Sequence, residues 1–320
     1  MSSVAGQTSI THTLAVSGDT ILTLNNPDAP FAPWEGGSNP PACTTRPPVT
    51  FRVSSHHLIQ ASSVFKAALT GCWKEGSTTA DGCHEISAED WDSKAMFVVL
   101  SLIHSRTSNI PRAIKLELLS KIAVLVDYYE LHEALHFYAS IWIDRLRQSL
   151  PTVYGRDLML WVCVSWIFKD AAIFKTVTKL ATEESPGKIP TIHLPIPQWV
   201  IVRINSQRDA AFSQISYSLR HLKDTLLNGT SGCSFECRSL HLGALIKYMH
   251  DDGFLAGEIT TASKGRSLKD TVKRVREMKS PSEYWHYGYP SSYCNFSVNK
   301  QTEHLNMLLG TMGGLGLYDQ

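Results

Sequence analysis

Every strand-like segment of this chain lies in its first ninety residues, and each is short. Thr20 to Leu24 (TILTL), Val49 to Val53 (VTFRV) and His84 to Ser87 (HEIS) are bounded by Gly, Pro or polar clusters. From Trp91 onward the apolar residues recur at helical spacing instead. A chain patterned in this way reads as α+β: short strands capped by a helical cluster, followed by an all-α domain.

Residues 1–18 are small and polar and are expected to form a mobile tail. Seven of the fifteen prolines fall between residues 25 and 48, with Gly36 and Gly37, so this stretch reads as a long loop inserted between two strands. Ser62 to Leu69 has helical spacing, and Gly71 and the Gly76–Gly82 stretch break it. Trp91, Ala95, Val98, Val99, Leu102 and Ile103 form one stripe of an amphipathic helix. Helices follow at Ile114 to Val126 and Tyr128 to Leu150, the latter with Leu131, Leu135, Ala139, Trp142 and Leu146 on one face. Pro151 to Gly155 marks a boundary. Beyond it helices are expected at about 156–170, 171–184, 198–227, 236–251, 267–279 and 298–309. The expected division is a tail at 1–18, a first domain at 19–150 and a helical domain at 151–320.

A net charge of +1 supplies no long-range field, so neither nucleic acid nor a membrane is expected as a partner. The most apolar run, Leu158 to Phe168, has eleven residues, too few to span a bilayer as a helix, and reads as a buried segment. The seven cysteines are irregularly spaced, which fits reduced thiols in the cytoplasm or nucleus. The N-terminal residues lack the charged and apolar regions of a signal peptide, so the sequons at Asn228 and Asn295 are expected to be unused.

Several segments carry a family resemblance. Gly18-Asp19 precedes the first strand, and Phe51-Arg52-Val53 leads into Ser54-Ser55-His56-His57-Leu58 and Ala61-Ser62-Ser63-Val64-Phe65. Leu118 to Tyr129 ends in Asp127-Tyr128-Tyr129, and Leu131 to Trp142 forms the following helix. Residues 15–150 thereby resemble a BTB/POZ domain of the divergent filamentous-fungal (ascomycete) type, and the remainder resembles the helical extension of such proteins. The resemblance implies a protein–protein interaction module rather than an enzyme. Homodimerisation would use a face near Asp19, His56, His57 and Leu58. A second face, from Ile103 to Pro111, would hold a cullin scaffold or a transcriptional co-regulator, the former making the chain a ubiquitin-ligase substrate adaptor. The helix from Trp91 ends in Ile103-His104-Ser105-Arg106, without the hydrophobic-x-Glu motif of cullin-binding members. Ser62 stands where a helix would start, with a hydroxyl able to cap it.

Four motifs could carry chemistry. His132-Glu133-Ala134-Leu135-His136 matches H-E-x-x-H, in which two histidines one helical turn apart bind zinc and the Glu acts as base. A metzincin continuation would need Gly at 139 and His at 142, where Ala139 and Trp142 stand. The simpler reading is an amphipathic helix with surface histidines, leaving a zinc-dependent hydrolase as a remote alternative. Cys233, Cys237, His241 and Cys294 could close a structural zinc site, against the simpler reading of ordinary buried thiols. Lys264, Arg266, Lys269, Lys273, Arg274, Arg276 and Lys279 form a basic stretch with an apolar face of Leu268, Val272 and Val275; it could meet nucleic acid or anionic lipid, against the simpler reading of the solvated face of a packed helix. Tyr284, Trp285, Tyr287, Tyr289 and Tyr293 suit an interface or a loop folded over the helices. No cofactor is expected.

Overall fold

The computed structural model describes residues 10–34, 46–71, 82–255, 265–279, 281 and 297–318. The fold is α+β, with two compact units. The first comprises residues up to 151, then 155–174 and 191–196; the second comprises 152–154, 175–190 and 197 onward.

A four-stranded sheet organises the first unit. Its strands are β1 (His12–Thr13), β2 (Thr20–Asn25), β3 (Val49–Val53) and β4 (His84–Glu89), in the order β1-β3-β2-β4. β2 and β3 pair antiparallel, while β1 runs parallel to β3 and β4 parallel to β2. The register sets Leu22 between Phe51 and Ile86, and the alternation of TILTLN turns Leu22 and Leu24 inward. β1 corrects the expectation of a mobile tail for residues 10–18, since Leu14 is buried and a Cβ on Gly18 would lie 2.4 Å from the Val53 carbonyl oxygen. Residues 1–9 lie outside the described ones.

Helices α1 (Ser55–Ala61) and α2 (Ser63–Thr70) connect β3 to β4. They part at Ser62, whose extended backbone ends one helix and whose hydroxyl caps the next by accepting from the Phe65 N–H at 3.0 Å. The same hydroxyl donates to the Tyr129 carbonyl at 2.6 Å, and the Phe65 and Tyr129 rings stack at 4.4 Å. Four helices complete the unit: α3 (Ser93–Ile103), α4 (Leu116–Tyr128), α5 (His132–Leu146) and α6 (Arg156–Ile167). α4 and α5 are separated by Glu130, whose φ of 54° breaks the helical path and sets the start of α5 later than Tyr128. α6 packs against α4 and is buried on nearly all sides, which places it in the first unit and moves the division beyond the expected 150/151. No helix among the described residues is long and apolar enough to cross a membrane.

The described residues of the Pro-rich insertion are bonded to this unit. Asp28 accepts from the Ser93 N–H and hydroxyl and pairs with Arg46 at 2.9 Å. Arg156 donates to the carbonyls of Phe31 and Ala32. Residues 35–45 lie outside the described ones.

α7 (Ala171–Glu184) runs across the division in the chain. The second unit is helical, with α8 (Gln198–Leu227), α9 (Phe235–Asp251), α10 (Leu268–Arg276), α11 (Val298–Gln301) and α12 (His304–Thr311). The expected 298–309 helix is thus two short ones, broken at Thr302 and Glu303. Phe212, Ile215, Leu219, Leu245, Leu268 and Leu305 anchor its core. Asp252, 3% exposed, accepts from Arg266 and from Arg274 at 2.8 Å, tying the end of α9 to α10.

Candidate functional site

The start of α1 is held by two side chains, Asp19 and His104. Asp19 accepts from the Ser55 N–H at 2.7 Å and from its hydroxyl at 2.5 Å. Burial works against its charge, but the Ser55 bonds outweigh it and hold the Asp19 carboxyl below its usual range. His104 lies at the end of α3, where its Nδ1 donates to the Leu100 carbonyl at 2.8 Å. Nε2 then accepts the Ser54 N–H at 2.9 Å. His57, exposed, stacks on His104 with ring centroids 5.0 Å apart. Asp19 and His56–Leu58 therefore do meet in one region, with unequal roles. Asp19 positions the helix and Leu58 is fully buried, which leaves His56 and His57 as the exposed side chains of this face.

The Ile103–Pro111 segment divides likewise. Ile103 is core, while residues 105–109 form an exposed turn. Pro111 is held from α5: the Trp142 indole N–H donates to its carbonyl at 2.9 Å, and Arg145 donates to the next carbonyl, that of Arg112, at 2.5 Å. Trp142 itself is buried, so its indole is a fixed peg.

Pro111 opens a groove of about 580 Å³ with Ala113, Ile114 and Leu118 as its apolar lining. Asp92, Lys94, Lys115, Glu117 and Lys121 supply its charges. Asp92 also caps α3 by accepting from the Ala95 N–H at 2.8 Å. Lys121 bridges Asp92 at 2.8 Å and Glu117 at 3.0 Å, and Arg156 reaches Glu117 at 3.2 Å. Burial opposes the charge on Lys121, but the two carboxylates prevail and raise its pKa above the usual lysine value. Glu117 is likewise held below its ordinary range by Lys121 and Arg156, against the effect of its partial burial. The groove was not visible in the sequence: Lys94 and Lys115 stand on different elements, and only the i,i+4 spacing of Glu117 and Lys121 hints at pairing.

His132, Glu133 and His136 sit on the exposed side of α5. Cys237 and His241 share the buried face of α9, Cys233 is exposed, and Cys294 lies outside the described residues. No group of three or more His, Cys, Asp or Glu placed to hold a metal occurs among the described residues. Three cations of the basic stretch serve the second unit itself: Lys269 pairs with Glu184 at 2.6 Å, and Arg266 and Arg274 clamp Asp252. Lys264 and the five aromatics between 284 and 293 lie outside the described residues.

Compared with protein-family models and with curated proteins, the chain matches none.

Proposed function

We propose that the chain is a protein–protein interaction module whose first unit is BTB/POZ-like and self-associates through the face bearing His56 and His57. The observation that carries this reading is the order of elements in that unit. After the two-residue β1, two antiparallel strands are followed by a pair of short helices, a strand parallel to the first of the two, and then a run of helices. From β2 onward this is strand, strand, paired short helices, strand and helical run, the element order of the BTB/POZ domains that the sequence resembles, and Ser62 and the stacked Phe65 and Tyr129 join the helix pair to α4. His56 and His57 project from a helix whose start is held by Asp19 and His104, so the face is presented on a rigid support.

Light scattering on the full-length protein tests the reading. A dimer is expected, shifted toward monomer by the pair His56→Asp and His57→Asp, which sets like charges across a two-fold interface. A strict monomer at tens of micromolar would count against self-association. The exposed turn at residues 105–109 favours a second reading, a cullin-type adaptor. Affinity purification from native cells decides it: recovery of a cullin, lost when this turn is altered, would place the adaptor reading first.

A further inference from the structure

The groove at Pro111–Lys121 carries a charge pattern that selects its occupant, and the inference rests on the interaction-module reading. The acids of the groove are already neutralised, Asp92 by Lys121 and Glu117 by Lys121 and Arg156. Lys94 and Lys115 are exposed and make no ion pair among the described residues, and the same holds for the adjacent Arg112. The unbalanced charge around the groove is therefore positive. Its lining of Pro111, Ala113, Ile114 and Leu118 is aliphatic, and Trp142 and Arg145 fix the backbone at residues 111–112. A preformed apolar groove with a cationic margin favours a ligand that is apolar on one side and acidic on the other.

We propose that this groove receives a short acidic segment of a partner protein, with one or two apolar side chains on the Ile114/Leu118 lining and carboxylates facing Lys94, Arg112 and Lys115. A second copy docked through the same face would oppose cations to cations. Nucleic acid would find no aromatic platform for its bases in the lining.

Fluorescence anisotropy with the full-length protein tests the assignment. The probe is a fluorescein-labelled peptide of Asp, Glu and two leucines, with two controls: one replaces the leucines by Ser, the other replaces the acids by Lys. The leucine-bearing acidic peptide is expected to bind best. The double variant Lys94→Glu/Lys115→Glu should weaken it by about tenfold or more and improve binding of the Lys control. Lys94→Ala/Lys115→Ala, which introduces no new charge, should show the same loss at smaller size and covers the case in which reversal disturbs folding. Failure of the acidic peptide to bind, equal binding of the Ser control, indifference to both double variants, or preferential retention on phosphatidylserine vesicles would overturn the proposal. If any of these occurs while the protein still dimerises, the groove assignment alone fails. If dimerisation and partner recovery are also absent, the module reading fails with it.

Discussion

His104 shows how much one side chain can depend on its partners. Its Nδ1 faces the Leu100 carbonyl, so the proton resides there, and Nε2 must keep a lone pair for the Ser54 N–H. Only the neutral ring satisfies both. Burial lowers the pKa of His104 from the usual histidine value, and the charges of His57 and Arg106 act in the same direction. The unfolded chain then takes up a proton near pH 6.5 that the folded chain holds less readily, so stability rises with pH across this window. The contribution is complete above about pH 6.5 and is lost as pH falls through the folded pKa. The urea midpoint of the native protein is expected to drop between about pH 7.5 and about pH 5.5. His104→Asn should flatten that drop while lowering the midpoint at the higher pH; an unchanged pH dependence would refute the role. Ser62 was legible as a cap because its partner lies three residues on. The role of His104 was not, because Ser54 lies fifty residues away and the bond exists only once β3 and α3 are placed.

At the scale of elements, helical periodicity was the strongest signal. α7 and α8 begin and end where the pattern predicts, and β2 and β3 fall on the TILTL and VTFRV segments. β1 escaped because two residues carry no readable period, and its place is determined by pairing with Phe51 and Arg52. The basic stretch was legible as a helix with an apolar face, but not as a set of partners. Asp252 is almost fully buried between Arg266 and Arg274, which join the end of α9 to α10. Asp252→Ala would leave both guanidiniums without their acceptor. The arginines are themselves partly exposed and can rehydrate, so a loss of about 2 kcal/mol is expected rather than the full penalty of a buried pair. Chemical unfolding of the variant measures it, and a loss of only a few tenths would show that the clamp contributes little.

At the scale of the whole molecule, the division of the chain follows packing rather than composition. The Pro151–Gly155 cluster looks like a linker, yet α6 beyond it belongs with the first unit, since Leu158, Trp161, Val162 and Val164 are all fully buried. Fully burying one Leu or Val contributes about 1.5–3 kcal/mol, so a helix of such residues cannot be removed lightly. A fragment ending at residue 150 would expose the flank of α4 that α6 covers. Such a fragment is expected to aggregate or to lose its near-ultraviolet dichroism, whereas one ending at residue 174 should retain more of both solubility and signal. A well-folded 1–150 fragment would show that α6 is dispensable to the first unit.

The amino-acid sequence alone determined the class of the fold, the positions of most elements and the inward-facing residues. These follow from period, capping and turn chemistry, all of which act over a few neighbouring residues. Tertiary structure alone decided which helix belongs to which unit, and that Asp19 is spent on holding the start of α1 while His56 and His57 stay exposed. It also decided that Lys94 and Lys115 border one groove while Lys121 and Arg156 neutralise its acids. Each of these depends on residues far apart in the chain meeting at a few ångströms, and local pattern carries no record of such meetings.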